Sequence, residues 1–298
     1  IYAGEAAGYV VPPVAELSVA DLTQSGQTTQ QFTVTYSDDI AIAVATIDSN
    51  DIRVTGPNGY DQLAQLVSLD VTANGTPRKA TYALTPQGGG TWLSAHNGTY
   101  SVFMRSNQVA DTQGAFVAAG ELGQFQVAVP AVIYAANMDV DPGWTLDPQW
   151  QYGTPTYASG GPTNGYTGTK IIGYNLSGDY ANNLSAKYAT TPVINCAGTS
   201  SLTLRFKRWL RTRQSDAVAI QVSTNGTTWT NLWSSTRAIS DTSWREVQYT
   251  LPTSMTGSST TRLRWSLASN STQTDIGWNI DDVELLASGL VDSKPPVA

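Results

Sequence analysis

Two adjacent carboxylates, Asp281 and Asp282, stand inside the stretch Gly277-Trp278-Asn279-Ile280-Asp281-Asp282-Val283-Glu284-Leu285, which otherwise reads as a β-strand with apolar residues at 278, 280, 283 and 285. Strands disfavour charge, and neighbouring residues on a regular strand point to opposite faces. At least one of the pair must therefore meet a partner, a cation or solvent rather than core. A basic constellation accompanies them. Arg205 and Lys207 share one strand face, as do Arg262 and Arg264. If those two strands are neighbours, they form a cationic stripe whose guanidinium forks suit carboxylated or sulphated glycans. Solvated arginines paired with Asp216, Glu246 or Asp275 are the plainer account. A third group is aromatic: Trp150, Tyr152, Tyr157, Tyr166, Tyr174 and Tyr180 can stack on sugar faces, or simply fill a core.

Catalytic chemistry has little to work with. The single histidine, His96, falls in Ser94-Ala95-His96-Asn97-Gly98, a turn that offers no fixed nucleophile. The single cysteine, Cys196, excludes an internal disulfide and a thiolate metal cluster. Only a carboxylate pair is left for a hydrolase, so the chain is read as a non-enzyme.

The elements that must position these residues are strands. Of the 298 residues only 13% are charged, against about a quarter in ordinary domains, and the formal net charge is -7. That balance argues against nucleic acid as the main partner. No apolar run approaches the ~18 residues of a spanning helix, which argues against membrane insertion. In the first half, alternating segments at 30–36, 51–54, 65–69, 80–84, 99–104 and 123–127 are separated by Asn58-Gly59, Asn74-Gly75 and Asn97-Gly98, dipeptides suited to tight turns. Such spacing predicts an immunoglobulin-like sandwich over 14–130. In the second half, segments at 133–136, 150–152, 202–207, 217–223, 245–249, 262–267 and 278–285 predict another antiparallel sandwich over 131–288, interrupted by one long irregular stretch from 144 to about 186. Eight of the nine tryptophans lie in this half. The fold class is thus all-β, two β-sandwich domains, an immunoglobulin-like sandwich followed by a jelly roll.

Two resemblances add to this reading. Residues 15–129 resemble the bacterial immunoglobulin-like domains found in tandem on surface and secreted proteins, through Phe32-Thr33-Val34-Thr35-Tyr36-Ser37-Asp38-Asp39, Asp48-Ser49-Asn50-Asp51-Ile52-Arg53-Val54 and Val109-Ala110-Asp111-Thr112-Gln113-Gly114. That resemblance implies a spacer. The second half is similar to MAM and galactose-binding-like jelly rolls, through Pro142-Gly143-Trp144, Gly173-Tyr174-Asn175-Leu176-Ser177-Gly178-Asp179-Tyr180, Phe206-Lys207-Arg208-Trp209 and Gly277-Trp278-Asn279-Ile280-Asp281-Asp282. It implies a non-catalytic module that binds carbohydrate or protein, often with a structural Ca²⁺ between an early acidic residue and the last strand. Carried onto this chain, the ion would be shared by Asp139 or Asp141, Asp179 with Asn182, and one of Asp281 and Asp282, all hard-oxygen donors. Asp38, Asp39 and Asp111 could likewise share Ca²⁺ in the first half, with Asx turns as the plainer reading.

Residues 1–13 and 289–298 read as linkers, and Val11-Pro12-Pro13-Val14-Ala15 is echoed by Lys294-Pro295-Pro296-Val297-Ala298. The expectation is an extracellular or cell-surface module pair cut from a longer array, binding a carbohydrate or a neighbouring surface protein. The alternative is a structural or adhesive subunit that self-assembles by tail insertion into a neighbour's sheet.

Overall fold

Alternation of apolar and polar residues along 30–37 buries Phe32, Val34 and Tyr36 on one face, and the same period recurs on each partner strand. The computed structural model describes residues 11–157 and 160–290, and two units divide between Pro130 and Ala131. The linker and tail expectations for 1–10 and 291–298 lie outside the described residues.

The first unit has eight strands, β1 (Val14–Ser18), β2 (Gln30–Ser37), β3 (Ile52–Thr55), β4 (Asp61–Leu63), β5 (Gln65–Leu69), β6 (Arg78–Leu84), β7 (Gly98–Met104) and β8 (Gly120–Val127). They form antiparallel sheets of order β1-β2-β6-β5 and β4-β3-β7-β8. The two four-stranded sheets enclose one hydrophobic core, as in a β-sandwich. Between the sheets Tyr36, Tyr82, Ile52, Val54 and Val102 are fully buried, each contributing on the order of 1.5–3 kcal/mol. Trp92 closes one end against Tyr60 and Tyr100.

A polar chain crosses that core: the Tyr36 and Tyr82 hydroxyls are 2.9 Å apart, and Tyr82 donates to Asp51 Oδ2 at 2.7 Å. Asp51 is wholly buried, and its Oδ1 has no hydrogen-bond partner among the described residues. Two of the acids that could share a cation close turns. Asp38 Oδ2 accepts the Ile40 and Ala41 N–H groups, and Asp111 Oδ1 those of Gln113 and Ala115. His96 Nδ1 accepts the Leu93 N–H and serves its turn.

The second unit has twelve strands. One sheet contains β11 (Trp150–Gly153), β12 (Ile171–Tyr174), β20 (Gly277–Leu290), β14 (Thr199–Thr212) and β17 (Ile239–Ser240) in that order, with β9 (Ala131–Ala136) also on β20 and β18 (Arg245–Thr250) also on β14. The other runs β10 (Thr145–Leu146), β13 (Lys187–Thr190), β19 (Arg262–Ala268), β15 (Ala217–Ser223), β16 (Thr230–Ser235). Leu204, Phe206, Leu210, Trp278 and Ile280 from the first meet Ile220, Val222, Leu263 and Trp265 from the second, and Trp144 stacks on Trp265 at 4.9 Å. The molecule is all-β, built from sandwiches.

Two expectations are corrected here. The stretch 144–186 is not one irregular loop, because it carries β10, β11 and β12. The run Ile171-Ile172-Gly173-Tyr174 is buried at every position, so it lacks the alternation that marks a half-exposed strand. Arg205 and Lys207 on β14 and Arg262 and Arg264 on β19 belong to different sheets, so they form no common stripe.

Candidate functional site

Strand β20 holds the centre of its sheet, pairing with β14 along one edge and with β12 and then β9 along the other. Its register on β14 slips between Arg205 and Lys207: Arg205 lies opposite Glu284, but Lys207 lies opposite Asp281. The extra residue is accommodated at Asp282, whose φ is 45°, a conformation that Asp tolerates better than most side chains. The bulge changes the parity of the strand, so that Trp278 and Ile280 before it and Val283 and Leu285 after it all face the core. Asp281 and Asp282 consequently meet the same covering segment rather than opposite faces.

That segment comes from the chain between β11 and β12. Asp281 Oδ2 accepts the N–H groups of Tyr166 at 2.6 Å and Thr167 at 3.2 Å, its Oδ1 accepts the N–H of Asp282, and Asp282 Oδ1 accepts the Thr167 hydroxyl at 2.6 Å. Further along, Tyr157 donates to Asn279 Oδ1, and Arg211 donates to the Gly160 carbonyl. Glycine allows the close approach at two points. A Cβ on Gly165 would strike the Thr167 carbonyl and Asp281, and one on Gly168 would fall on Asp139 Oδ1. Burial raises the Asp281 carboxyl to about 7, with the neighbouring Asp282 charge adding to the rise and the three N–H groups opposing it.

Beside the bulge lies a cleft of about 470 Å³ lined by Ala135, Asn137, Asp139, Thr167, Arg205, Lys207, Glu246, Asp282 and Glu284, among others. Arg205 places both its Nε, at 2.9 Å, and a terminal nitrogen, at 2.5 Å, on Glu284 Oε2. Lys207 Nζ is 2.9 Å from Glu246 Oε2 and 4.2 Å from the centre of the Tyr166 ring. Partial burial works against the Lys207 charge, but Glu246 outweighs it and holds the ammonium above the ordinary lysine range. Tyr166 nevertheless keeps 50% of its surface open.

The residues singled out from sequence are thus regrouped. Asp139, Asp282, Arg205 and Lys207, expected in two separate sites, line one cleft, with Asp281 beneath the loop next to it and Tyr166 alongside. Asp141 accepts the N–H of Gly143 in its own turn, Asp179 sits with Thr274 and Asn175, and Asn182 is exposed. Among the described residues no three acidic, histidine or cysteine side chains gather in a way that could hold a metal ion. Asp281, surrounded by N–H donors, presents the wrong polarity to a cation. Of the residues from which a calcium site was expected, Asp139 and Asp282 thus share the cleft, whereas Asp141 and Asp179 engage neighbours of their own.

Trp150 is buried against Tyr174 rather than offered to a ligand. Tyr152 donates weakly to the Asp139 carbonyl, and Tyr157 is spent on Asn279. Arg264 lies 3.9 Å from the ring centres of both Tyr188 and Trp229, and Arg262 packs at Gly226, both on the other sheet. Sequence reasoning passed over Asn137, Thr167 and Glu284 as cleft residues and Asn279 as a loop anchor. The signal available was a polar residue, Asn279, at a strand position flanked by Trp278 and Ile280.

Comparison with known proteins gives partial matches. The family model for Reelin subrepeat B matches residues 180–285. No curated protein matches the chain. Among solved structures, a cleaved adhesin domain of Lys-gingipain from Porphyromonas gingivalis is similar at 18% identity and a TM-score of 0.36, over 52% of this chain and 98% of that one. A carbohydrate-binding module of Cellvibrio mixtus lichenase 5A, in complex with cellotriose, is similar at 14% identity and 0.33, over 52% and 96%. A carbohydrate-binding module of the β-sandwich superfamily is similar at 14% identity and 0.42, over 93% and 99%.

Proposed function

We propose that the second sandwich is a non-catalytic carbohydrate-binding module of a secreted or cell-surface protein, and that the first sandwich is its spacer. The observation that carries this reading is the half-open Tyr166 ring standing beside a cleft whose walls alternate hydrogen-bond donors and acceptors. A sugar ring has an apolar face for the aromatic side chain and a rim of hydroxyls for Asn137, Thr167, Asp139 and Glu246. Tyr166 is held in place by its own backbone bond to Asp281, so the stacking surface is fixed before the ligand arrives.

The test is titration calorimetry of the full chain against soluble oligosaccharides. Tyr166→Ala is expected to weaken binding at least about tenfold, the scale of one lost aromatic contact. Arg262→Ala, on the opposite sheet, should leave affinity unchanged. Equal affinity of Tyr166→Ala and the parent chain would refute the assignment of the cleft.

A further inference from the structure

Resting on that reading, we infer that the cleft selects glycans carrying a free amino group over neutral ones, and rejects carboxylated and sulphated ones. The charges that line it decide this. Arg205 and Lys207 are its cations, and each is already engaged, Arg205 by Glu284 and Lys207 by Glu246. Two further carboxylates face the same space. Asp139 is hydrogen-bonded by the Asn137 side-chain amide at 2.8 Å and Asp282 by the Thr167 hydroxyl, and among the described residues neither forms an ion pair. Four carboxylates against two cations leave an excess of negative charge at the wall where Asp139 and Asp282 stand.

Those two acids are brought together by consecutive loop residues: Thr167 holds Asp282, and Gly168 packs on Asp139. The preceding residue is Tyr166. A sugar that enters the cleft beside Tyr166 reaches the wall that carries Asp139 and Asp282. An ammonium there gains two uncompensated carboxylates in a partly desolvated cleft, where attraction exceeds its value in bulk water. A uronate or sulphate group meets repulsion, and could reach Arg205 or Lys207 only by displacing Glu284 or Glu246. The acceptors that suit an ammonium also suit hydroxyls, so neutral sugars bind, more weakly.

The experiment compares three probes by calorimetry on the full chain, with chelator present and at a pH that keeps the sugar amine protonated: the β-1,4 tetramers of glucosamine and N-acetylglucosamine, and tetragalacturonate. The glucosamine tetramer is expected to bind about tenfold or more tightly than its N-acetylated counterpart, with the preference shrinking as salt rises, and tetragalacturonate is expected not to bind. Asp139→Asn and Asp282→Asn should each shrink the ratio of glucosamine-tetramer to N-acetylglucosamine-tetramer affinity, and an unchanged ratio in both would count against the charge selection. Asn tolerates the positive φ at 282 and can still accept from Thr167, so that variant should fold. Equal affinity for the two amino-sugar tetramers, or tighter binding of the uronate, overturns the charge selection and leaves the carbohydrate reading standing. Absence of binding to all three and to neutral cello- and xylo-oligosaccharides overturns both.

Discussion

Both sandwiches bury carboxylates, and Asp51 in the first and Asp281 in the second, each at 0% exposure, solve the problem differently. Asp51 in the first unit points into the core, where Tyr82 and the Asp48 N–H reach its Oδ2 and nothing among the described residues reaches its Oδ1. Asp281 in the second lies under a loop on the outer side of its sheet, and three backbone N–H groups fill its oxygens. The first acid ties tyrosines of one layer to a turn of the other, so it specifies how the sheets sit. The second ties a strand to a segment without regular structure, so it specifies where the loop that carries Tyr166 stands. Asp51, reached by a tyrosine from across the core, fixes the packing of the sheets, whereas Asp281, reached by main chain alone, fixes a loop.

Breaking Asp281 should give the largest effect. Asp281→Ala strands the Tyr166, Thr167 and Asp282 N–H groups, and the expected loss is about 3 kcal/mol or more in chemical denaturation, with saccharide binding abolished. Gly168→Ala comes next. Its added carbon collides with Asp139 at a positive φ, and binding should fall about tenfold while the melting temperature of the second unit drops by only a few degrees. Retention of binding by either variant would separate the loop from the site.

The pH behaviour sharpens the contrast. Burial raises the Asp51 carboxyl to about 6, partly offset by the bonds from Tyr82 and Asp48. Both acids are thus raised above their unfolded values, so each contributes stability that is fully present below about pH 4 and is lost as pH rises, through about 6 for Asp51 and about 7 for Asp281. For Asp51 the swing is about 3 kcal/mol at most. The stability of Asp51→Asn relative to the parent chain should therefore rise from about pH 4, be half gained near pH 5 and level off above about 6. A flat difference would show that Asp51 ionises as freely in the folded chain as in the unfolded one. Calcium should have the smallest effect. Excess chelator is expected to leave the melting temperature of the second unit unchanged, and a calcium-dependent rise of several degrees would restore the shared-ion arrangement.

Much of the fold is legible because the strands alternate and Asn-Gly turns separate them. The bulge was legible too, had parity been followed: core residues fall at even positions through Ile280 and at odd positions from Val283, a switch that requires one inserted residue between them. Treating the strand as regular led instead to opposed carboxylates. Which strands lie side by side was not legible. Arg205 and Arg264 carry the same local pattern, and only long-range pairing sends one to the cleft and the other between Tyr188 and Trp229. Nor could spacing reveal that Asp139 would meet Gly168, since that contact depends on how a long segment crosses the outside of a sheet.

The stacked Trp144 and Trp265 pair has an optical consequence. Two indoles 4.9 Å apart and inclined by 20° should couple their strong far-ultraviolet transitions and give a paired circular-dichroism band that vanishes when the second sandwich unfolds. The first sandwich contains a single tryptophan, Trp92, so it can have no such couplet. Unfolding of the second sandwich can therefore be followed in the intact chain by this band, without cutting it from the first.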